Sequence, residues 1–309
     1  MSDKAKGLIA ALSANIIWGF VSLIFRALIN YPTELILTYR IIIAFMVTWL
    51  FIAIYKRKQL IADLKSIRFN REMPKVKFWM LLVLSGIGIT GNWFAFIYVV
   101  NHINIKSGAF AYMICPLITA LGGFILLKEE LSRLKFFALA LTTISIAILA
   151  TEFFGNVLWS ALIASFYATF MLIQRILKKI DRLNMLGFQL LIGLILVIPL
   201  MVFHPQAIPV DFSFWALIFV LALLFTLIPL LLSLFALGKL PSSTVGILLY
   251  INPIVAFSIA FFYFHEPIVF TQLLAYALLL VAVVVFNWKI LKEIFMKKLK
   301  RKNEIDIAR

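Results

Sequence analysis

Carboxylates are what this chain has least of among its charged groups. Thirteen Asp and Glu stand against 29 Lys and Arg, and charged residues of either sign make up only 14% of the 309 positions, where a soluble domain carries roughly a quarter. Cysteine occurs once, as Cys115, which rules out an internal disulfide, and no Cys/His spacing matches a zinc or iron–sulfur site. There is no HExxH, no pair of aspartates inside an apolar run, and no Ser/His arrangement within one or two such runs. Hydrolytic and metal chemistry therefore have no residues to carry them. The pair Gly238 and Lys239 lacks the earlier glycine and the following Ser or Thr of a phosphate-binding loop, which removes ATP as a driver. The expectation is a protein that is not an enzyme and holds no cofactor or metal.

What is abundant is apolar. Hydrophobic residues make up 64% of the chain, more than one soluble core could bury, so the excess has to face lipid. A bilayer core about 30 Å thick takes ~20 apolar residues per helix. Ten runs of about that length are bounded by charges, Pro or Asn: 8–29, 35–55, 78–99, 107–127, 134–151, 157–177, 186–203, 213–237, 242–264 and 268–288. The first follows Lys4 and Lys6 like a signal peptide, but it is too long, lacks a small-residue cleavage site and is followed by nine more, so it is read as a retained span. A net charge of +16 would suit a nucleic acid only if the basic residues gathered on one soluble face. They sit between apolar runs instead, and no nucleic-acid partner is expected. All Lys and Arg except Arg26, Arg40 and Lys106 fall in alternate loops, on the side of the amino terminus. Cytoplasmic loops carry this bias, which places both termini in the cytoplasm. The basic tail 289–309 is read as part of that topology signal.

The two halves of the chain resemble one another. Pro116 in the fourth run is followed thirteen residues later by Glu129, and Pro253 in the ninth is followed thirteen later by Glu266. FAYMICPL from Phe110 matches the texture of VGILLYINPI from Val245, and Leu12, Ala14 and Asn15 in the first run align with Leu162, Ala164 and Ser165 in the sixth. Five spans per half is an odd number, so the second half enters the membrane from the opposite face. The expected fold is an all-α polytopic membrane protein of ten transmembrane helices in two inverted five-helix repeats, 1–151 and 152–288, a plan recurrent among secondary transporters.

Polar and aromatic residues at membrane depth are the candidates for a substrate site. Pro116 and Pro253 each remove a backbone hydrogen bond mid-span, and around them lie Tyr112, Cys115 and Thr119 in one half and Tyr250 and Asn252 in the other. A midplane cavity between the fourth and ninth spans is the first choice, with packed kinks as the alternative. Asn15 and Trp18, Asn92 and Trp93, Ser165 and Tyr167, and Gln189 complete the set, although helix-to-helix hydrogen bonds or packing account for such residues as well. Arg40 stands out because a buried charge is expensive. Its readings are a partner for a substrate carboxylate, an outer gate, or a side chain reaching toward the headgroups. Glu34, Glu129 and Glu266 are gating or structural candidates, the last two suited to helix capping. No carboxylate falls at the centre of a span, so ion coupling is not legible. His102, His204 and His265 at loop edges are read as interface residues.

The stretch NWFAFIYVVNHINIKSGAFAYMICPLITALGGFILLKEELSRL from Asn92, the stretch LPSSTVGILLYINPIVAFSIAFFYFHEP from Leu240, and IWGF from Ile17 resemble the EamA-like members of the drug/metabolite transporter superfamily. TELILTYR from Thr33 and FTLIPLLLSLFALGKLPSST from Phe225 resemble its RarD branch in particular. That branch usually has Asn before the first-half proline, where this chain has Cys115. The resemblance covers essentially the whole chain. It implies ten helices, cytoplasmic termini, a bacterial inner membrane, and export or exchange of small metabolites such as amino acids, with drugs as a looser option. The expected partners are a small-molecule substrate and the lipid bilayer, with a homodimer left open. A channel or a non-transporting scaffold is the alternative. Accessibility tags at the two termini are expected to react from the cytoplasmic side alone, and tags reporting from opposite sides would remove the inverted plan.

Overall fold

The computed structural model describes residues 2–69, 73–102, 105–153, 157–203, 205–263, 270–293 and 295–296. Its helices are α1 (Asp3–Gly19), α2 (Val21–Ala27), α3 (Thr33–Phe51), α4 (Arg57–Phe69), α5 (Lys75–His102), α6 (Ile105–Leu127), α7 (Arg133–Phe153), α8 (Val157–Ile176), α9 (Arg182–Phe203), α10 (Phe212–Ala222), α11 (Ile228–Leu237), α12 (Ser242–Leu248), α13 (Ile251–Phe262) and α14 (Phe270–Phe286). Two π-helical turns, Ile52–Lys56 and Leu223–Leu227, join α3 to α4 and α10 to α11. No strand occurs among the described residues. Seven helical runs there are long and apolar enough to cross a membrane, and Ala111–Leu127 and Phe270–Phe286 are shorter apolar helices. This is an all-helical, polytopic membrane protein.

The distribution of side chains suits lipid rather than water. Leu158, Val210 and Phe212 lie almost fully on the surface, while Asn15, Thr38, Arg40, Asn92, Ser145 and Gln189 are buried. Buried polar groups tie helices together, as expected where lipid offers no hydrogen bonds. The Gln189 amide donates to the Ser85 hydroxyl at 2.6 Å, joining α9 to α5, and the Ser145 hydroxyl donates to the Ala275 carbonyl at 2.8 Å, joining α7 to α14.

Packing follows a paired scheme. α1 lies against α11 and α13, and α8 lies in the corresponding way against α5 and α6. α3 faces α9, α6 faces α12, and α7 faces α14. Small residues permit the closest crossings. A Cβ on Gly19 would stand 2.5 Å from Cβ of Val255 and 3.2 Å from the Asn252 carbonyl, and one on Gly246 would stand 3.0 Å from the Thr119 side chain.

The basic loops gather at one end. Lys4 pairs with Glu293 at 2.9 Å, Lys239 with Asp3 at 2.7 Å, and Lys56 with Asp181 at 2.6 Å. Surface ion pairs of this kind add little stability, but they tie the amino terminus to the loop after α11 and the segment after α14, and the π-helical turn after α3 to the loop after α8. The opposite end holds Tyr31, whose hydroxyl donates to Asp211 at 3.2 Å, and Tyr98, whose ring lies tilted 5.3 Å from that of Trp159.

Residues 56–77 read as a basic loop in the sequence, yet they carry α4. Asp63 explains its docking. Only 4% exposed, it accepts from the Asn184 side chain at 2.6 Å, the Asp181 backbone N–H at 3.1 Å and Gln59 at 2.9 Å. Asp181 itself accepts from the backbone N–H groups of Leu183 and Asn184 and so caps α9.

At the same end Lys128 adopts φ 54°, the only positive φ among the described non-glycine residues. This left-handed turn closes α6 and brings Glu129 across to α12. The Glu129 carboxylate accepts from the Ser242 backbone N–H and hydroxyl, both at 2.7 Å, and from the Ser243 backbone N–H at 3.0 Å. A carboxylate there meets the unpaired donors and the positive end of the helix. Burial pushes the Glu129 carboxyl up, and the hydrogen bonds from Ser243 and Ser242 more than offset this, holding it below the ordinary carboxylate value.

Two predictions follow from these contacts. Gly19→Ala is expected to cost about 1–3 kcal/mol through overpacking against Val255, read as a lower unfolding midpoint in detergent. Gly187→Ala meets the tip of Ile52 at 3.0 Å and the Trp49 indole at an ordinary 3.4 Å and serves as the tolerated control; equal effects would remove the crossing argument. Glu129→Ala is expected to lose about 0.5–2 kcal/mol at neutral pH. Because the Glu129 pKa is lowered on folding, its contribution is complete above the ordinary carboxylate pKa and fades as pH falls through the lowered value. The gap between the two proteins should therefore close in acid.

Candidate functional site

A helix interior leaves no carbonyl free, so a site within the bundle begins where helices break. Residue 229 is proline and has no N–H, which deprives the Phe225 carbonyl of its helical donor. The Trp18 indole supplies one, at 3.0 Å. Beside it Thr226, inside the π-helical turn, donates its hydroxyl to the Leu221 carbonyl at 2.8 Å and accepts from Nε of Arg40 at 2.6 Å. The turn thereby holds two site side chains from other helices, and π-turns often mark functional positions.

A second break lies between α1 and α2 at Phe20, and a third between α12 and α13, at Leu249 and Tyr250. The third comes one turn ahead of Pro253, whose ring crowds the carbonyl four residues earlier, at Leu249. That carbonyl accepts instead from the Asn252 N–H at 3.0 Å. α6 continues through Pro116 without interruption, so the matching prolines act differently.

Between these breaks is a cavity of about 130 Å³. Its polar wall consists of Arg40, Asn92, Tyr112, Tyr167 and Asn252; its aromatic wall of Trp18, Phe25, Trp93, Phe96 and Phe225. Pro253 and Gly19 lie at one end, and Arg26 and Ile29 toward the end that carries Tyr31. Asn92 is fixed by donating to the Ile163 carbonyl at 2.9 Å and accepting from the Tyr112 hydroxyl at 3.3 Å. Arg40 is 5% exposed, and its guanidinium carbon stands 4.5 Å from the centre of the Trp93 ring, a cation–π contact.

Of the residues singled out in the sequence, Trp18, Arg40, Asn92, Trp93, Tyr112, Tyr167, Asn252 and Pro253 meet in this cavity. Others lie elsewhere. Asn15 is buried on α1 and donates to the Ala11 carbonyl at 2.7 Å. Cys115 is fully buried beside Thr119, Pro116 is buried next to it, and Tyr250 is fully buried; none of the three is part of the wall. Gln189 serves the α5 contact, and Ser165 lies exposed on α8. Glu34 is in the first turn of α3, suited to its dipole, and forms no ion pair with Arg40. Glu129 caps α12 at the basic end, away from the cavity. Glu266, His204 and His265 lie outside the described residues.

Sequence reasoning passed over Phe25, Phe96, Phe225 and Thr226. Apolar rings carry no signal in a chain with 30 phenylalanines. Pro229 was the one pointer to Phe225, through the donor that it lacks.

Known proteins give the arrangement a context. The EamA-like transporter family matches residues 5–151 and, a second time, 154–288. The chain is 30% identical to the uncharacterized transporter YojE of Bacillus subtilis (strain 168), over 94% of its own length and 96% of that protein. It is 27% identical to the protein RarD of Escherichia coli (strain K12), covering 91% and 93%, and 26% identical to the protein RarD of Streptomyces exfoliatus, covering 94% and 91%. A solved crystal structure shares the fold with a TM-score of 0.68 at 18% identity, over 93% of this chain and 99% of that one. With its membrane-spanning helices and two successive matches, the chain belongs to the EamA-like transporter family.

Proposed function

We propose that this membrane transporter is a secondary carrier of small organic metabolites that works by alternating access around the Arg40 cavity. The observation that carries the reading is the paired packing: α1 on α11 and α13 is answered by α8 on α5 and α6, while α3–α9, α6–α12 and α7–α14 pair across the middle. Exchanging first-half spans for their second-half counterparts maps this scheme onto itself. Ten spans in two inverted halves, 1–151 and 152–288, would have such a pattern, and the two family matches support the division. Two halves of like fold and opposite orientation can trade conformations and so open to one side and then the other.

The lie of the cavity supports the same cycle. It extends from Pro253 toward the Tyr31 end, whereas at the basic end Glu129 ties the turn after α6 to α12. This is the arrangement expected of a carrier facing the less basic side. The bias of Lys and Arg supports a cytoplasmic basic end and, with bacterial relatives, supports the reading of an inner-membrane protein with both termini inside. The readings of drug transport and of amino-acid exchange rest on the family resemblance alone.

Counterflow in proteoliposomes tests the carrier. Internal unlabelled substrate should accelerate uptake of labelled substrate, whereas a channel would show no such acceleration and a scaffold no uptake. Arg40→Ala is expected to abolish counterflow while inserting normally, and normal counterflow by the inserted variant would remove Arg40 from the site.

A further inference from the structure

The polar groups of the cavity differ in what they have left to offer. Arg40 uses Nε for Thr226 at 2.6 Å. No hydrogen bond or ion pair to its two terminal nitrogens is found among the described residues. Those nitrogens hold four N–H donors on a full positive charge. Three neutral acceptors of the cavity are engaged: Asn92 Oδ1 takes the Tyr112 hydroxyl, the Phe225 carbonyl takes the Trp18 indole, and Thr226 Oγ1 takes Arg40 itself, while the Tyr167 hydroxyl on the same wall has no hydrogen-bond partner among the described residues. No Asp or Glu is among the described residues that line the cavity. Charged donors are open, and an anionic acceptor is missing.

Resting on the carrier reading above, we propose that the substrate is a small organic monocarboxylate with an apolar, ring-sized body and no ammonium group. The carboxylate is the counter-ion that a buried guanidinium needs, since an uncompensated charge at membrane depth is costly. The planar fork of Arg40 matches two carboxylate oxygens. The body lies among Trp18, Tyr167, Tyr112 and Phe96, whose rings meet at 6.1 Å for Trp18–Tyr167, 6.3 Å for Tyr112–Tyr167 and 5.2 Å for Phe96–Tyr112. The volume of about 130 Å³ is on the scale of the ~150 Å³ cavity that takes up benzene. An α-ammonium would lose its hydration with no charged acceptor to offset the loss, and one carboxylate fills the Arg40 fork.

The test is a matched ligand series on the purified full-length protein, followed through tryptophan emission and thermal shift: phenylacetate, phenylglycine, phenylacetamide and benzylamine. Phenylacetate is expected to bind saturably, with the other three at least about tenfold weaker, the scale of one hydrogen bond to a charged group. Arg40→Gln should abolish the preference for phenylacetate over phenylacetamide. Phenylglycine binding as tightly as phenylacetate would overturn the exclusion of ammonium. Phenylacetamide binding equally would overturn the role of Arg40, and failure of phenylacetate to bind would overturn the class. The series on the unaltered protein decides the matter even where Arg40→Gln does not accumulate. Counterflow with the same compounds keeps the two readings apart. Carboxylate-selective binding without counterflow sinks the carrier alone, and counterflow without carboxylate selectivity sinks the substrate class alone.

Discussion

Every backbone carbonyl in hydrocarbon must find a donor, because neither lipid nor bulk water is there to supply one. Most of this structure follows from how that rule is met where helices cannot be regular. At Pro229 the missing N–H is replaced by an indole from α1. In the π-turn a threonine hydroxyl stands in for a backbone donor and then receives an arginine. Each repair draws a side chain from a different helix to the same place, so the broken segments become a junction. The cavity is the room left over at that junction. Its composition is thus a consequence of backbone bookkeeping as much as of ligand recognition.

This explains why part of the site was legible and part was not. Arg40, Asn92 and Asn252 stand out at membrane depth because a polar group there is costly to bury without purpose. Trp18 and Trp93 carry a polar tip and stand out for the same reason. Depth, however, does not reveal direction. A helix that is apolar all round has no face readable from periodicity, so Ser165 and Gln189 could not be separated from Asn92 although they sit at comparable depth. Ser165 faces outward and Gln189 serves a neighbouring helix. Phe96 and Phe225 form the wall without any mark in the sequence.

The fold shows a similar division. Hydropathy is a property of summed composition, and it located the apolar runs at 35–55, 78–99 and 134–151, which fall on α3, α5 and α7. Joints are set by tertiary contacts and were less visible. The break at Phe20 accompanies the close approach of Gly19 to α13, an interhelical fact that no local pattern contains. α4 was hidden because its basic residues dominated a segment whose fold depends on one buried carboxylate, Asp63, finding partners more than a hundred residues away.

The run from Thr33 to Arg68 has mechanical meaning. Its 36 residues extend about 54 Å at 1.5 Å per residue, well beyond a bilayer core of about 30 Å. The overhang is strapped at Asp63 to the start of α9, the helix that α3 also faces inside the membrane. α3 and α9 are thus joined both along their length and at an outrigger, and would tilt as one stiff beam. Near the far end of α4, Ile67 is buried with Phe78 and Leu82 of α5 and Met185 of α9, so the overhang is clamped rather than free, and relative motion in the bundle would fall to the helices around that beam.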